Sequence, residues 1–147
     1  MRNQKIITYS LSAILIAIGI VYFVVAYSEY QDFKDLTDMG IKGESEEKQF
    51  EMTFFTVTGI INLSLGVWII RSREGAVTPY IISGVISLGL IVIYVASRTV
   101  GVPVVGVEYY VGRIDVVSKI LQVIAIALSG IAVYNIRKSR IVKEFAT

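Results

Sequence analysis

Polar and apolar residues segregate along this chain into long blocks and do not alternate at the short period of a soluble helix or strand. Nearly charge-free apolar runs occupy residues 6–27, 52–70, 77–97 and 116–136. Each run holds 19 to 22 residues, and an α-helix needs roughly 20 to cross a hydrocarbon core about 30 Å thick. One central charge costs about 2.5–3.5 kcal/mol on insertion, so a membrane selects runs with empty centres. The pattern predicts an all-α polytopic membrane protein, a single domain over residues 1–147 with four transmembrane helices in an antiparallel bundle. A cleaved signal peptide is the rival reading of the first run, because Arg2 and Lys5 precede it and Ala26-Tyr27-Ser28 has the form of a cleavage site. A signal core spans about 7–15 apolar residues, fewer than the 22 found here, so the run is expected to remain as the first helix.

Charge then orients the spans. Arg2 and Lys5, Arg71 and Arg73, and Arg137, Lys138, Arg140 and Lys143 flank one set of span ends within short stretches. Residues 28–51, on the other side, carry eight carboxylates against Lys34, Lys42 and Lys48. Basic residues in short flanks stay on the cytoplasmic side, which predicts a cell-membrane protein with both termini and the second connection cytoplasmic. Tyr9, Trp68, Tyr80 and Tyr134 fall at the expected inner interface, and Tyr27, Tyr30, Tyr94, Tyr109 and Tyr110 at the outer one.

The connections differ in character. In the acidic outer segment 28–51, Tyr30, Phe33 and Leu36 recur every three residues. That spacing predicts a short amphipathic helix on the membrane surface, stopped at Gly40. Ser45, followed by Glu46 and Glu47, reads as the N-cap of the second helix. The carboxylates follow no calcium-loop spacing and read as a solvated face. The short second connection, with Arg71, Arg73, Glu74, Gly75 and Pro79, requires helices two and three to form an antiparallel hairpin. Residues 137–147 read as a basic helix end against anionic headgroups.

The loop over residues 98–115 is apolar for an exposed segment, with six valines and three glycines. It is expected to fold onto the helix ends or dock on a partner, since it otherwise exposes a hydrophobic patch. Gly101, Gly106 and Gly112 permit positive backbone dihedrals, and Pro103 sets a bend. Its charges include Arg98, Glu108 and Asp115, with Lys119 one turn further on, where Asp115 can cap the fourth helix. Ser97-Arg98-Thr99, Gly101, Pro103, Glu108, Gly112 and Asp115 resemble the S-R-T-x-G-x-P outer loop of small four-helix membrane proteins of bacteria and archaea. The resemblance covers residues 57–130, and Val105-Gly106-Val107-Glu108 with Gly112-Arg113-Ile114-Asp115 is most similar to archaeal versions. It implies the four-span topology and no activity. Similar proteins occur in ammonia-oxidising archaea, which implies a place beside a larger membrane complex.

Composition narrows the chemistry. Hydrophobic residues make up 54% of the chain and charged residues 18%, too few charges to cover a soluble domain. Net charge is only +2, and no basic stripe interleaved with aromatics points to nucleic acid. There is no cysteine and no histidine, which removes disulfides, thiolate chemistry and the commonest metal ligand. No metal or cofactor is expected.

In the middle of the spans the polar residues are uncharged. Thr58, Asn62 and Gly66 share one face of helix two. Tyr80, Gly84, Ser87, Ile91, Tyr94 and Arg98 form a stripe on helix three, and Lys119, Gln122, Ala125 and Ser129 one on helix four. Helix one offers Ala13 and Ala17. Such residues serve helix packing. A sharper reading gathers Thr58, Asn62, Ser87, Tyr94, Gln122 and Ser129 into a polar pocket among helices two, three and four, beneath Arg98. Two functions follow: a non-catalytic accessory or structural subunit that packs against other membrane proteins or itself, or a transporter or channel element for a neutral or lipid-like ligand. An enzyme is disfavoured, since no catalytic constellation is recognisable.

Overall fold

A computed structural model describes residues 2–72, 75–101, 106–107 and 112–145, and the side chains within 3–142 of these. Pro103, Glu108, Tyr109, Tyr110, Arg73 and Glu74, singled out above, lie outside the described residues. The chain forms four helices: α1 Arg2–Asp38, α2 Lys42–Arg71, α3 Thr78–Thr99 and α4 Arg113–Phe145. All four are long and apolar enough to cross a membrane. The protein is an all-α, multi-pass membrane bundle.

The helix ends follow local chemistry. Gly40 adopts φ 76°, and its N–H donates to the Thr37 carbonyl at 3.0 Å while the Ile41 N–H donates to Leu36 at 3.0 Å. This pair of bonds closes α1 and needs a left-handed residue, which glycine supplies without a Cβ clash. Pro79 sits in the first turn of α3, where its missing N–H leaves no bond unmade. Gly101, with φ 80°, ends α3 by donating its N–H to the Ala96 carbonyl at 2.9 Å.

The acidic segment differs from its expected form. No separate surface helix breaks away at residue 28; α1 runs unbroken to Asp38, and α2 starts at Lys42. Residues 28–38 therefore extend the first helix by about 16 Å at 1.5 Å per residue. Ser45 is not the N-cap either. Ile41 occupies that position without a side-chain cap, and the Ser45 hydroxyl donates to the Lys42 carbonyl at 2.8 Å inside the first turn. The tight turn at Gly40 leaves too few residues for an independent element, so α1 and α2 run up to it from either side.

One lysine joins the two arms of this extension. Lys48 Nζ lies 2.9 Å from Glu29 on α1 and 2.7 Å from Glu51 on its own helix. The bond to Glu51 is a well-formed hydrogen bond, whereas the Glu29 contact is an ion pair by distance without hydrogen-bond alignment. Burial pushes the Glu29 carboxyl above its ordinary range; Lys48 opposes this and Glu51 adds to it. Burial alone would lower Lys48, but the two carboxylates hold its ammonium well above the usual value.

A group whose folded pKa is raised stabilises the fold below its unfolded pKa and loses that contribution as pH rises through the folded one. Hairpin stability is therefore expected to fall as pH is raised from about 4.5, the ordinary Glu29 value. It should fall again above about 10.5, the ordinary Lys48 value. Unfolding midpoints across pH should lose the acid-side slope in Glu29→Gln, and Lys48→Met should cost about 1–2 kcal/mol at neutral pH. An unchanged pH profile in Glu29→Gln contradicts the shared-lysine account.

Packing sets the order of helices around the bundle. α1 packs most extensively against α2, α3 packs against α4, and α1 also lies against α4. Of the four helix pairs in contact, α2 and α3 touch least despite their short connection, so they are neighbours in sequence more than in packing. Leu11, Leu15 and Ile18 of α1 are fully buried, together with Ile69, Ala125 and Ala132. The α1–α2 contact is close because glycines face each other. A Cβ built on Gly19 would fall 3.0 Å from the Gly59 carbonyl oxygen, and one on Gly59 would fall 3.2 Å from that of Gly19. Further along, the Ser12 hydroxyl donates to the Gly66 carbonyl at 2.8 Å. Between lipid-solvated helices, such contact and hydrogen bonding hold the pair, since there is little hydrophobic drive to do so.

Candidate functional site

The residues with the most varied chemistry meet near the end of the bundle where α3 leaves and α4 begins. Gly112 precedes α4, and its N–H donates to Asp115 Oδ2 at 3.1 Å. Asp115 thus caps the helix from its third position by reaching back, the return half of a capping box. The same oxygen accepts from Arg98 Nη2 at 3.1 Å, tying the end of α3 to the start of α4. Arg98 also lies over the ring of Tyr94, one turn earlier, at 4.9 Å from the centroid.

Lys119, one turn into α4, faces the same ring at 4.7 Å and the Tyr22 ring at 5.9 Å. Cations over aromatic faces gain about 0.5–2 kcal/mol, more as water is excluded. Lys119 Nζ donates to the Tyr22 hydroxyl and to Gln122 Oε1, both at 3.3 Å. Gln122 Nε2 donates to the Tyr22 hydroxyl at 2.7 Å. On its other side Tyr22 stacks on Phe55 of α2, with centroids 5.8 Å apart. Tyr22 is thereby the point where α1, α2 and α4 meet, and Lys119 connects it to Tyr94 of α3.

The other residues proposed for an intramembrane polar pocket do not join this group. Asn62 donates to the Thr58 carbonyl of its own helix at 2.9 Å. Ser129 pairs with Ser83 at 2.9 Å, where Gly84 allows close approach, its virtual Cβ lying 3.3 Å from that of Ser129. Ser87 Oγ and Asn62 Oδ1 are buried and find no partner among the described residues. Thr58, Asn62, Ser87, Gln122 and Ser129 are all buried, and Tyr94 is half-buried. Gln122 and Tyr94 are brought together through Lys119; Thr58, Asn62, Ser87 and Ser129 are dispersed into separate contacts.

In the loop, Gly101 lies against Gly106, for a Cβ on Gly101 would meet the Gly106 carbonyl carbon and oxygen at 2.9 Å. The described part of the loop therefore turns back on the end of α3. Thr99 is exposed and donates to the Val95 carbonyl at 2.8 Å. Tyr80 departs from the expected aromatic belt: it is buried, with its hydroxyl 2.8 Å from Thr8 Oγ1. Ala13, named as a packing residue, is exposed, and the packed small residue of α1 is Gly19. Sequence reasoning missed Tyr22. Its only sequence signal is a hydroxyl-bearing ring within a span, away from the interfaces where tyrosines collect.

Four spanning helices, joined inside by uncharged hydrogen bonds and capped by a cation–aromatic cluster, define a small polytopic membrane protein. No family model, no curated protein and no solved structure matches the chain.

Proposed function

We propose that the chain is a non-catalytic accessory or structural subunit of the cell membrane, packing against other membrane proteins, with both termini on the cytoplasmic side. The observation that carries this reading is where the interior polar groups point. Ser12, Tyr22, Tyr80, Ser83, Gln122 and Ser129 each bond to a neighbouring helix of the bundle. Groups used in this way hold helices together and do not line a route for a solute. Outward, α4 presents exposed Ile120, Val123, Ile124, Ala127, Gly130 and Ile131, and nothing in the chain lies within 4 Å of a Cβ at Gly130. A shallow apolar notch of this kind accepts a ridge from another helix. The basic flanks support the orientation, and the loop's resemblance to proteins carried by archaea of the ammonia-oxidising group is in keeping with a place beside a larger membrane complex.

The second reading is a transporter or channel element for a neutral or lipid-like ligand. The unpartnered Asn62 Oδ1 and Ser87 Oγ favour it, since buried polar atoms ordinarily have partners. Purification in mild detergent followed by mass spectrometry separates the two. Other membrane proteins recovered in stoichiometric amount support the subunit reading; recovery as a monomer with no such protein overturns it.

A further inference from the structure

At the opposite end of the bundle from the Tyr22 cluster, all four helices border a cleft of about 600 Å³. Its polar lining includes Gln4, Lys5, Thr8, Tyr80, Asn135 and Lys138, and its apolar lining includes Ile69, Ile70 and Ile136. Among the described residues two lysines line the cleft and no carboxylate does. The Arg140 guanidinium closes one edge by donating to the Gly75 carbonyl at 2.7 Å.

The hydrogen-bond directions inside the cleft are determined. Thr8 Oγ1 donates its single proton to the Gln4 carbonyl at 2.9 Å. The 2.8 Å contact between Thr8 Oγ1 and Tyr80 must then use the tyrosine proton, because a hydroxyl has one donor and two acceptor sites. The Tyr80 oxygen is left as an acceptor. Gln4 adds both kinds of site, for its Nε2 and Oε1 are buried and have no partner among the described residues. A buried amide with neither atom bonded costs about 1–3 kcal/mol per group, which a ligand able to satisfy it recovers. The cleft therefore offers two lysine ammonium groups, amide N–H donors, the Gln4 and Tyr80 oxygens as acceptors, and an apolar part of its lining.

We propose that this cleft binds a phosphate ester whose remaining part carries hydroxyl groups, as in a glycerol-type phospholipid headgroup. Lys5 and Lys138 face the phosphate, Gln4 Nε2 donates to an ester or phosphate oxygen, and Gln4 Oε1 and the Tyr80 oxygen accept from hydroxyls. Ile69, Ile70 and Ile136 meet the first apolar carbons of a lipid. Basic pockets between helices at the membrane surface are suited to such headgroups. The proposal requires only the membrane-spanning fold and is independent of whether the chain has partner subunits.

The test uses the whole chain purified in mild detergent and incubated with equal amounts of dioleoylphosphatidylglycerol and dioleoylphosphatidylcholine, with bound lipid counted by native mass spectrometry. The wild type should retain the glycerol lipid preferentially. Lys5→Gln with Lys138→Gln should weaken retention by about tenfold, on the scale of surface cation contributions. Gln4→Leu should remove the preference, and Gln4→Glu, nearly the same shape, should do so by repulsion if the leucine variant folds poorly. Arg71→Gln with Arg137→Gln removes two charges from the same end without touching the cleft and should retain the preference. Excess glycerol 3-phosphate is the second arm. If it raises the melting temperature of delipidated protein, lost in Lys5→Gln with Lys138→Gln, while the lipid is not retained, the ester comes from a solute and the site stands. The proposal is overturned if neither ligand binds, if the Arg71 and Arg137 pair matters as much as the lysine pair, or if both Gln4 variants bind as the wild type does.

Discussion

Gly19→Val is expected to destabilise the bundle by about 3 kcal/mol, the upper end of what overpacking a closed contact costs. Even the first carbon of a side chain at this position would lie 2.8 Å from Leu63 Cγ and 3.0 Å from the Gly59 carbonyl oxygen. The leucine has rotamers through which to give way. The carbonyl belongs to the α2 backbone and can retreat only if the two helices separate. Separation would also lengthen the Ser12 bond to the Gly66 carbonyl, two turns away along α1. Gly89→Val and Gly130→Val are the controls, because nothing lies within 4 Å of a Cβ at either position; they should stay within about 0.5 kcal/mol of wild type. Unfolding by SDS in mixed micelles, followed by far-UV circular dichroism, reads all three. Equal losses at Gly19 and Gly89 would show that valine itself, and not the α1–α2 approach, is responsible.

Gln122→Leu is expected to cost about 1–2 kcal/mol, a large share of what one buried hydrogen-bonded side chain contributes. Gln122 is fully buried, and it links Tyr22 and Lys119 through both ends of its amide. Leucine fills the space but returns neither bond, so the Tyr22 hydroxyl keeps only the 3.3 Å contact from Lys119. Adding Tyr22→Phe to Gln122→Leu should cost less than the sum of the two alone. The coupling should fall at about 0.6–1.7 kcal/mol, the range for hydrogen bonds between membrane helices. Additive losses in the double variant would mean that the 2.7 Å bond between these residues does not hold α1 to α4.

The Tyr22 cluster and the basic-end cleft sit at opposite ends of the bundle and were not equally legible beforehand. Arg98, Asp115 and Lys119 stood out in the sequence because they are charges at the two ends of an otherwise apolar outer loop. The Arg98–Asp115 pair closes the two ends of one loop, 17 residues apart. The Tyr22–Gln122 bond joins residues 100 positions apart, and no local pattern announces a contact of that separation. Gln4 and Tyr80 are 76 positions apart in sequence, and only the folded chain brings them to one cleft.

The extended hairpin shows a different kind of gap. Tyr30, Phe33 and Leu36 have the spacing of an amphipathic surface helix, yet Phe33 and Leu36 are half-buried parts of α1 and Tyr30 is exposed. The same periodicity serves a helix that lies on a surface and one that pairs with a neighbour. Lys48, held between Glu29 and Glu51, identifies the neighbour as α2.

By itself the sequence determined the number of helices, the apolar runs at their centres and the membrane as their solvent. It could do so because hydrocarbon excludes charge from any run that crosses it, a property that needs no knowledge of neighbours. On α2 and α4 the small and uncharged polar residues, Thr58, Asn62 and Gly66 and then Gln122, Ala125 and Ser129, mark the buried face, whereas on α1 only the tertiary structure decided which face turns inward. In a soluble bundle the apolar stripe marks that face, but in lipid both faces are apolar and the stripe vanishes. Exposed Ala13 and buried Gly19 are equally plausible packing residues until α2 is in place. The backbone approach between Gly19 and Gly59 is what distinguishes them.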